Sequence, residues 1–142
     1  MRFKFRLARV LNYLSLKETV KKMEVAAVVR EIALTEQRVL ELEADLRQLL
    51  EEGPKRFAEG MQWASFQVNR IAADRRDIEV LAKKLNTLQE DLQEKRGELA
   101  KLAMRRQAME NLRDKRKAEF KLDQSRRDQK QMDELFQGFR KD

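Results

Sequence analysis

The side chains able to do chemistry in this sequence are few in kind. It has no histidine and no cysteine, which removes thiol chemistry, disulfides and the usual zinc ligands. Carboxylate pairs remain, such as Glu51 with Glu52 and Asp74 with Asp77. Acid and base catalysis would need a concave site that pushes their pKa values apart. The sequence offers no glycine-rich phosphate loop and no serine-centred elbow to build one. The expectation is a protein that is not an enzyme, with no catalytic, cofactor-binding or metal-binding residues.

Basic side chains offer a second chemistry. Arg105-Arg106, Arg113, Lys115-Arg116-Lys117 and Arg126-Arg127 form runs that suit phosphate contacts. Each run is diluted by Glu110, Asp114, Glu119, Asp123 and Asp128, and no aromatic is placed for base stacking. A solvated or protein-docking helix face is expected, with no nucleic-acid partner. The amphipathic start, Phe3, Phe5 and Leu7 against Arg2, Lys4, Arg6 and Arg9, is of the kind that lies on membranes. Leu7 and Leu11 are already used by a helical seam. Trp63, Phe66 and Val68 read either as a local cluster with Phe57 and Met61 or as a docking patch, since Trp and Phe anchors dominate many interfaces.

The elements that must carry these residues are helices. Charged residues make up 40% of the chain and its mean hydropathy is −0.77, too polar for a globular core, so the core must be a seam. No apolar run is long enough to span a bilayer. The single proline and the glycines nearest it, Gly53, Pro54 and Gly60, punctuate one reversal, because proline cannot continue the hydrogen-bond ladder and glycine leaves helical geometry freely. The expected fold is all-α, a single domain over residues 1–142. Two long helices form an antiparallel coiled-coil hairpin: helix 1 over about 3–51, a loop over about 52–61 and helix 2 over about 61–137.

Apolar residues follow a 4-3 spacing at Leu7, Leu11, Leu14, Val25, Val28, Ile32, Val39, Leu42, Leu46 and Leu49, interrupted by Glu18, Lys21 and Thr35. It returns at Ala64, Ile71, Ile78, Leu81, Leu85, Leu88, Leu92, Leu99, Leu102 and Met109, interrupted by Gln67, Asp74, Lys95 and Arg106. Such a 3.5-residue repeat keeps one narrow stripe facing one partner helix. One antiparallel register pairs residues whose numbers sum to 113, setting Glu18 against Lys95. The seam of helix 2 fades after Met109. Leu112, Phe120, Leu122, Met132, Leu135, Phe136 and Phe139 read as following no single stripe, so residues 110–136 are expected to overhang as helix without a partner in the hairpin.

Charge is unevenly spread. Residues 1–24 carry seven Lys and Arg against two acids, and residues 101–142 carry thirteen against eight, whereas residues 25–100 carry twelve against fifteen. Folding back at Gly53 would bring the two basic ends together.

The tail Arg127-Asp128-Gln129-Lys130-Gln131-Met132-Asp133-Glu134-Leu135-Phe136 resembles the C-terminal Asp-Gln-Lys-x-Met-Asp-Glu-hydrophobic element of the flagellar export protein FliJ family, the stalk component of the type III export apparatus. The start, Phe3-Lys4-Phe5-Arg6-Leu7-Ala8-Arg9-Val10-Leu11, is similar to that family's Phe-x-Phe-x-Leu-x-x-Val-Leu opening, and the break before Trp63 fits as well.

The resemblance implies a coiled coil whose end bearing both termini enters the central hole of the hexameric flagellar export ATPase and stimulates it. It also implies binding to the export gate cytoplasmic domain and to export chaperones, in the cytoplasm and peripheral to the inner membrane through the export apparatus. On that expectation Phe3, Phe5, Arg6, Asp128, Gln129, Lys130, Met132, Asp133 and Glu134 face the ATPase, and Trp63 and Phe66 face the gate. The competing expectation is a coiled-coil adaptor or chaperone-like spacer with no ATPase partner.

Overall fold

The structure is a computed structural model that describes residues 2–56 and 60–140. It is all-α, with no strand among the described residues. Helix α1 spans Ala8–Arg56 and helix α2 spans Met61–Arg140. Every seam position from Leu7 to Leu49, and every one from Ala64 to Met109, is buried or half-buried, the polar interruptions included. Because two helices alone cannot enclose a side chain on all sides, no described residue is completely buried. Stability therefore accrues from many half-covered seam residues.

The chain divides into two units. Unit 1 combines Met1–Val20 with Leu99–Asp142, and unit 2 is Lys21–Glu98. In each, α1 and α2 run antiparallel, as their cross-contacts show. In unit 2 Lys84 Nζ lies 3.3 Å from Glu31 Oε1, Arg70 donates to Asp45 at 3.0 Å, and Gln67 Nε2 donates to the Leu49 carbonyl at 2.6 Å. In unit 1 Arg106 Nε donates to Glu18 Oε2, and the Phe3 and Phe120 rings meet at 5.6 Å.

These contacts correct the expected register. Partner numbers sum to 115 or 116 in the unit 2 contacts nearest the reversal, and to 124 at Glu18 and Arg106. Glu18 takes Arg106, not the expected Lys95, whose Nζ stands 3.7 Å from Asp91 on its own helix. In unit 2 the cause lies in the reversal. Helix α1 continues through Gly53 and Pro54 to Arg56 before α2 begins at Met61, and each residue by which a turn moves adds two to the sum.

Gly53 also has a different role from the one its type suggested. It lies in α1, and a Cβ there would meet the Gln67 amide at 3.4 Å, an ordinary van der Waals contact, so Gly53 acts as one more helical residue packed on the buried Gln67. Pro54 cannot donate to the Leu50 carbonyl four residues back. The reversal instead uses Gly60, whose φ of +119° is open to glycine and strained for other residues. Its carbonyl accepts from Ala64 N at 3.3 Å, closing the first turn of α2. Gly60→Ala is expected to destabilise the fold by about 1–3 kcal/mol, read as a lower urea midpoint with unchanged slope. Phe57 lies outside the described residues.

The start of helix 1 also differs from the expectation. Residues before Ala8 are not helical: Phe3 and Phe5 are half-buried while Arg2, Lys4 and Arg6 are exposed. This alternation is the period of an extended chain. A turn follows, in which Ala8 N donates to the Phe5 carbonyl at 3.2 Å and Leu11 N to the Leu7 carbonyl at 3.0 Å. The segment lies against α2 as a strap, apolar side in and basic side out.

Candidate functional site

Unit 1 carries 18 basic and 9 acidic side chains, a net charge of +9, whereas unit 2 carries 14 and 16, a net −2. Two elements of unit 1 hold the residues first singled out at the ends of the sequence. The strap presents Arg6 to solvent and keeps Phe3 and Phe5 half-buried, with Phe3 seated on Phe120 of α2. The tail of α2 presents Asp128, Gln129, Lys130, Met132, Asp133 and Glu134, all exposed, as is every side chain from Lys121 to Phe139. A shallow depression lined by Phe120, Asp123, Gln124, Arg127, Asp128 and Gln131 begins where the strap ends.

One feature of this tail was missed in reading the sequence. Met132, Leu135, Phe136 and Phe139 stand at i, i+3, i+4 and i+7, which puts all four on one face of a continuous helix, and all four are exposed. Their spacing was the available signal. Set beside Leu112, Phe120 and Leu122 it looked irregular, because those residues belong to other faces.

The basic runs are partly structural. Arg106 binds both Glu18 and, at 3.0 Å, Glu110; these two carboxylates hold its guanidinium even more firmly protonated than usual. Glu18 is only 6% exposed, so the pair closes a seam position with charge. Lys21, in unit 2, is held between Glu98 at 2.7 Å and Glu24 at 2.9 Å, and hydrogen bonds to these carboxylates raise its pKa. Arg113 Nε lies 3.5 Å from Asp114.

Unit 2 holds the second group of candidates. Trp63 is half-buried and Phe66 exposed, in the first two turns of α2, and Met61 and Val68 are exposed beside them in sequence. A groove is lined by Leu49, Leu50, Gly53, Ala64, Gln67, Val68 and Ile71. Neither Trp63 nor Phe66 lines it. Farther along the seam, Asp74 is 8% exposed and its Oδ2 has no hydrogen-bond partner. Burial pushes its carboxyl above the usual range. Asp45 from α1 adds to this by hydrogen bonding and by charge, Asp77 adds charge, and Arg70 opposes. Asp45 and Asp74 can hydrogen-bond to each other only when one carries a proton.

Among the described residues no cluster of ligands is suited to a metal, and no helix is long and apolar enough to cross a membrane. The arrangement among the described residues is one of surfaces, exposed apolar regions on a charged scaffold. No curated protein and no solved structure matches the chain. The family model described as flagellar FliJ protein matches residues 3–139, and the chain belongs to that family of flagellar export components.

Proposed function

We propose that the protein is the non-catalytic stalk of the export apparatus. Unit 1 inserts into the central hole of the hexameric export ATPase and stimulates hydrolysis, and the chain links that ATPase to the cytoplasmic domain of the export gate and to export chaperones. Its place is the cytoplasm at the flagellar base, peripheral to the inner membrane through the apparatus. The observation that carries this reading is the tail: an exposed helix with Met132, Leu135, Phe136 and Phe139 on one face. A contiguous apolar face of that kind marks an interaction site.

In this reading Asp128, Gln129, Lys130, Met132, Asp133 and Glu134 meet the ATPase together with Arg6, while Phe3 and Phe5 fix the strap that presents Arg6. Trp63 and Phe66 contact the gate. Deletion of residues 125–142 tests it directly. Copurification with the ATPase and stimulation of its hydrolysis should both be lost, while circular dichroism retains the helicity of the remaining chain. A truncated chain that binds and stimulates as well as the full one would remove the tail from the interface. Absence of any effect by the intact protein would leave an adaptor or spacer with no ATPase partner.

A further inference from the structure

Helix α1 carries a second apolar stripe that the seam does not use. Tyr13, Leu16 and Val20, in unit 1, are 56%, 67% and 54% exposed. At 100° per residue they lie roughly 160° round the helix from the buried Leu11 and Glu18. Their 3-4 spacing continues in the sequence through Met23 and Ala27 and, after Arg30, to Leu34. This is a heptad pattern on a helix whose other heptad already has its partner.

Its width and its charge specify an occupant. Two apolar residues per heptad make a stripe that fits one helix. A helix lying on a bilayer presents a broad apolar face, and here the opposite side of α1 is committed to the seam. Lys17 borders the stripe on one side and uncharged Asn12, Ser15 and Thr19 lie on the other, while Arg9 stands in line with it, one step before Tyr13. Residues 2–17 contain no acid at all. Lys17 Nζ stands 5.0 Å above the Tyr13 ring, so a cation already sits at the stripe's edge.

We propose that the Tyr13, Leu16 and Val20 stripe docks an acidic amphipathic helix of a partner protein. The partner's a and d side chains pack on these three residues, and its carboxylates meet Lys17 at the stripe's edge and Arg9 at its end. The surface is separate from the α2 tail, and the proposal stands without the ATPase assignment.

The test uses the full chain and two synthetic four-heptad peptides with Leu at a and d, one carrying Glu and the other Lys at e and g, titrated by fluorescence anisotropy. The Glu peptide should bind at least about tenfold more tightly than the Lys peptide. Leu16→Gln with Val20→Gln should weaken that binding about tenfold or more with helicity and Tm unchanged, since both positions are exposed. Lys17→Glu should erode or reverse the preference between the peptides. Equal binding of the two peptides, binding of neither, or indifference to these substitutions would overturn the proposal. So would a dimer in light scattering that Leu16→Gln with Val20→Gln dissociates, which would make a second copy the occupant. Loss, in the same variant, of binding to phosphatidylserine vesicles that do bind the parent would make it a membrane and would overturn the proposal equally.

Discussion

Arg106→Leu should lower the thermal midpoint by about 5 °C or more, and Glu18→Leu introduced beside it should recover most of the loss. Glu18 occupies a seam position between Leu14 and Lys21 and is almost wholly removed from water. Its charge is compensated across the helices by Arg106, which Glu110 holds in place from one turn further along α2. Removing the guanidinium leaves a carboxylate that has lost both its hydration and this bond. Removing both polar groups leaves two leucines at positions where the repeat asks for apolar residues. A double-mutant cycle measured by thermal and urea unfolding gives the coupling directly. If the two substitutions proved additive, the pair would be incidental to the register.

Asp74→Leu is expected to stabilise the fold by about 1–3 kcal/mol at pH 7, and Asp74→Asn by less, with a gain that disappears towards acid. The sign follows from burial. A folded-state pKa above the unfolded value means that the folded chain holds this proton more tightly than the unfolded chain does. The group is then least unfavourable below the ordinary carboxylate range, near pH 4, and becomes costly as pH rises through the raised folded value. Asparagine keeps the shape and donates an N–H to Asp45 at every pH, standing in for the proton. The difference in Tm between Asp74→Asn and the parent should therefore grow from pH 4 to pH 8. A difference that stayed flat would mean that the Asp74 carboxyl titrates as it does in the unfolded chain.

The seams were legible because their signal is redundant. Leu11, Val28, Leu42 and Leu49 repeat the same instruction, and even Glu18, Thr35, Gln67 and Asp74 were placed correctly as interruptions of a buried stripe. The register was not legible. A slip of three or four residues still sets one seam position against another, so the decision passes to where the turn falls and to polar contacts such as Glu18 with Arg106, whose long side chains reach well beyond their own layer.

The ends of the elements show a second limit. Gly53 and Pro54 look like a stop, yet Pro54 falls in the last turn of α1, and the required positive φ belongs to Gly60. At the start, the alternation of Arg2, Phe3, Lys4, Phe5 and Arg6 announced an extended strap, but Leu7 joined the heptad in phase and drew the helix forward. For the candidate site, the end motifs led to the family, and the helical spacing of the tail led to its apolar face. Heptad periodicity says nothing about which partner covers that face.

The composition of unit 1 from two distant stretches bears on the order in which the protein forms. In unit 2 the bond from Gln67 to Leu49 joins residues 18 apart, whereas in unit 1 Phe3 meets Phe120 across most of the chain. Closing the longer loop from an unfolded chain costs about 1.7 kcal/mol more in entropy. Pairing that starts at the Gly60 turn removes most of that cost before the ends meet. During synthesis the reversal can therefore form while the ribosome still holds the remainder of α2, and the strap must wait for Phe120 to emerge. Until then Phe3 lacks its ring partner, so the newly made strap is the stretch with the longest need of protection.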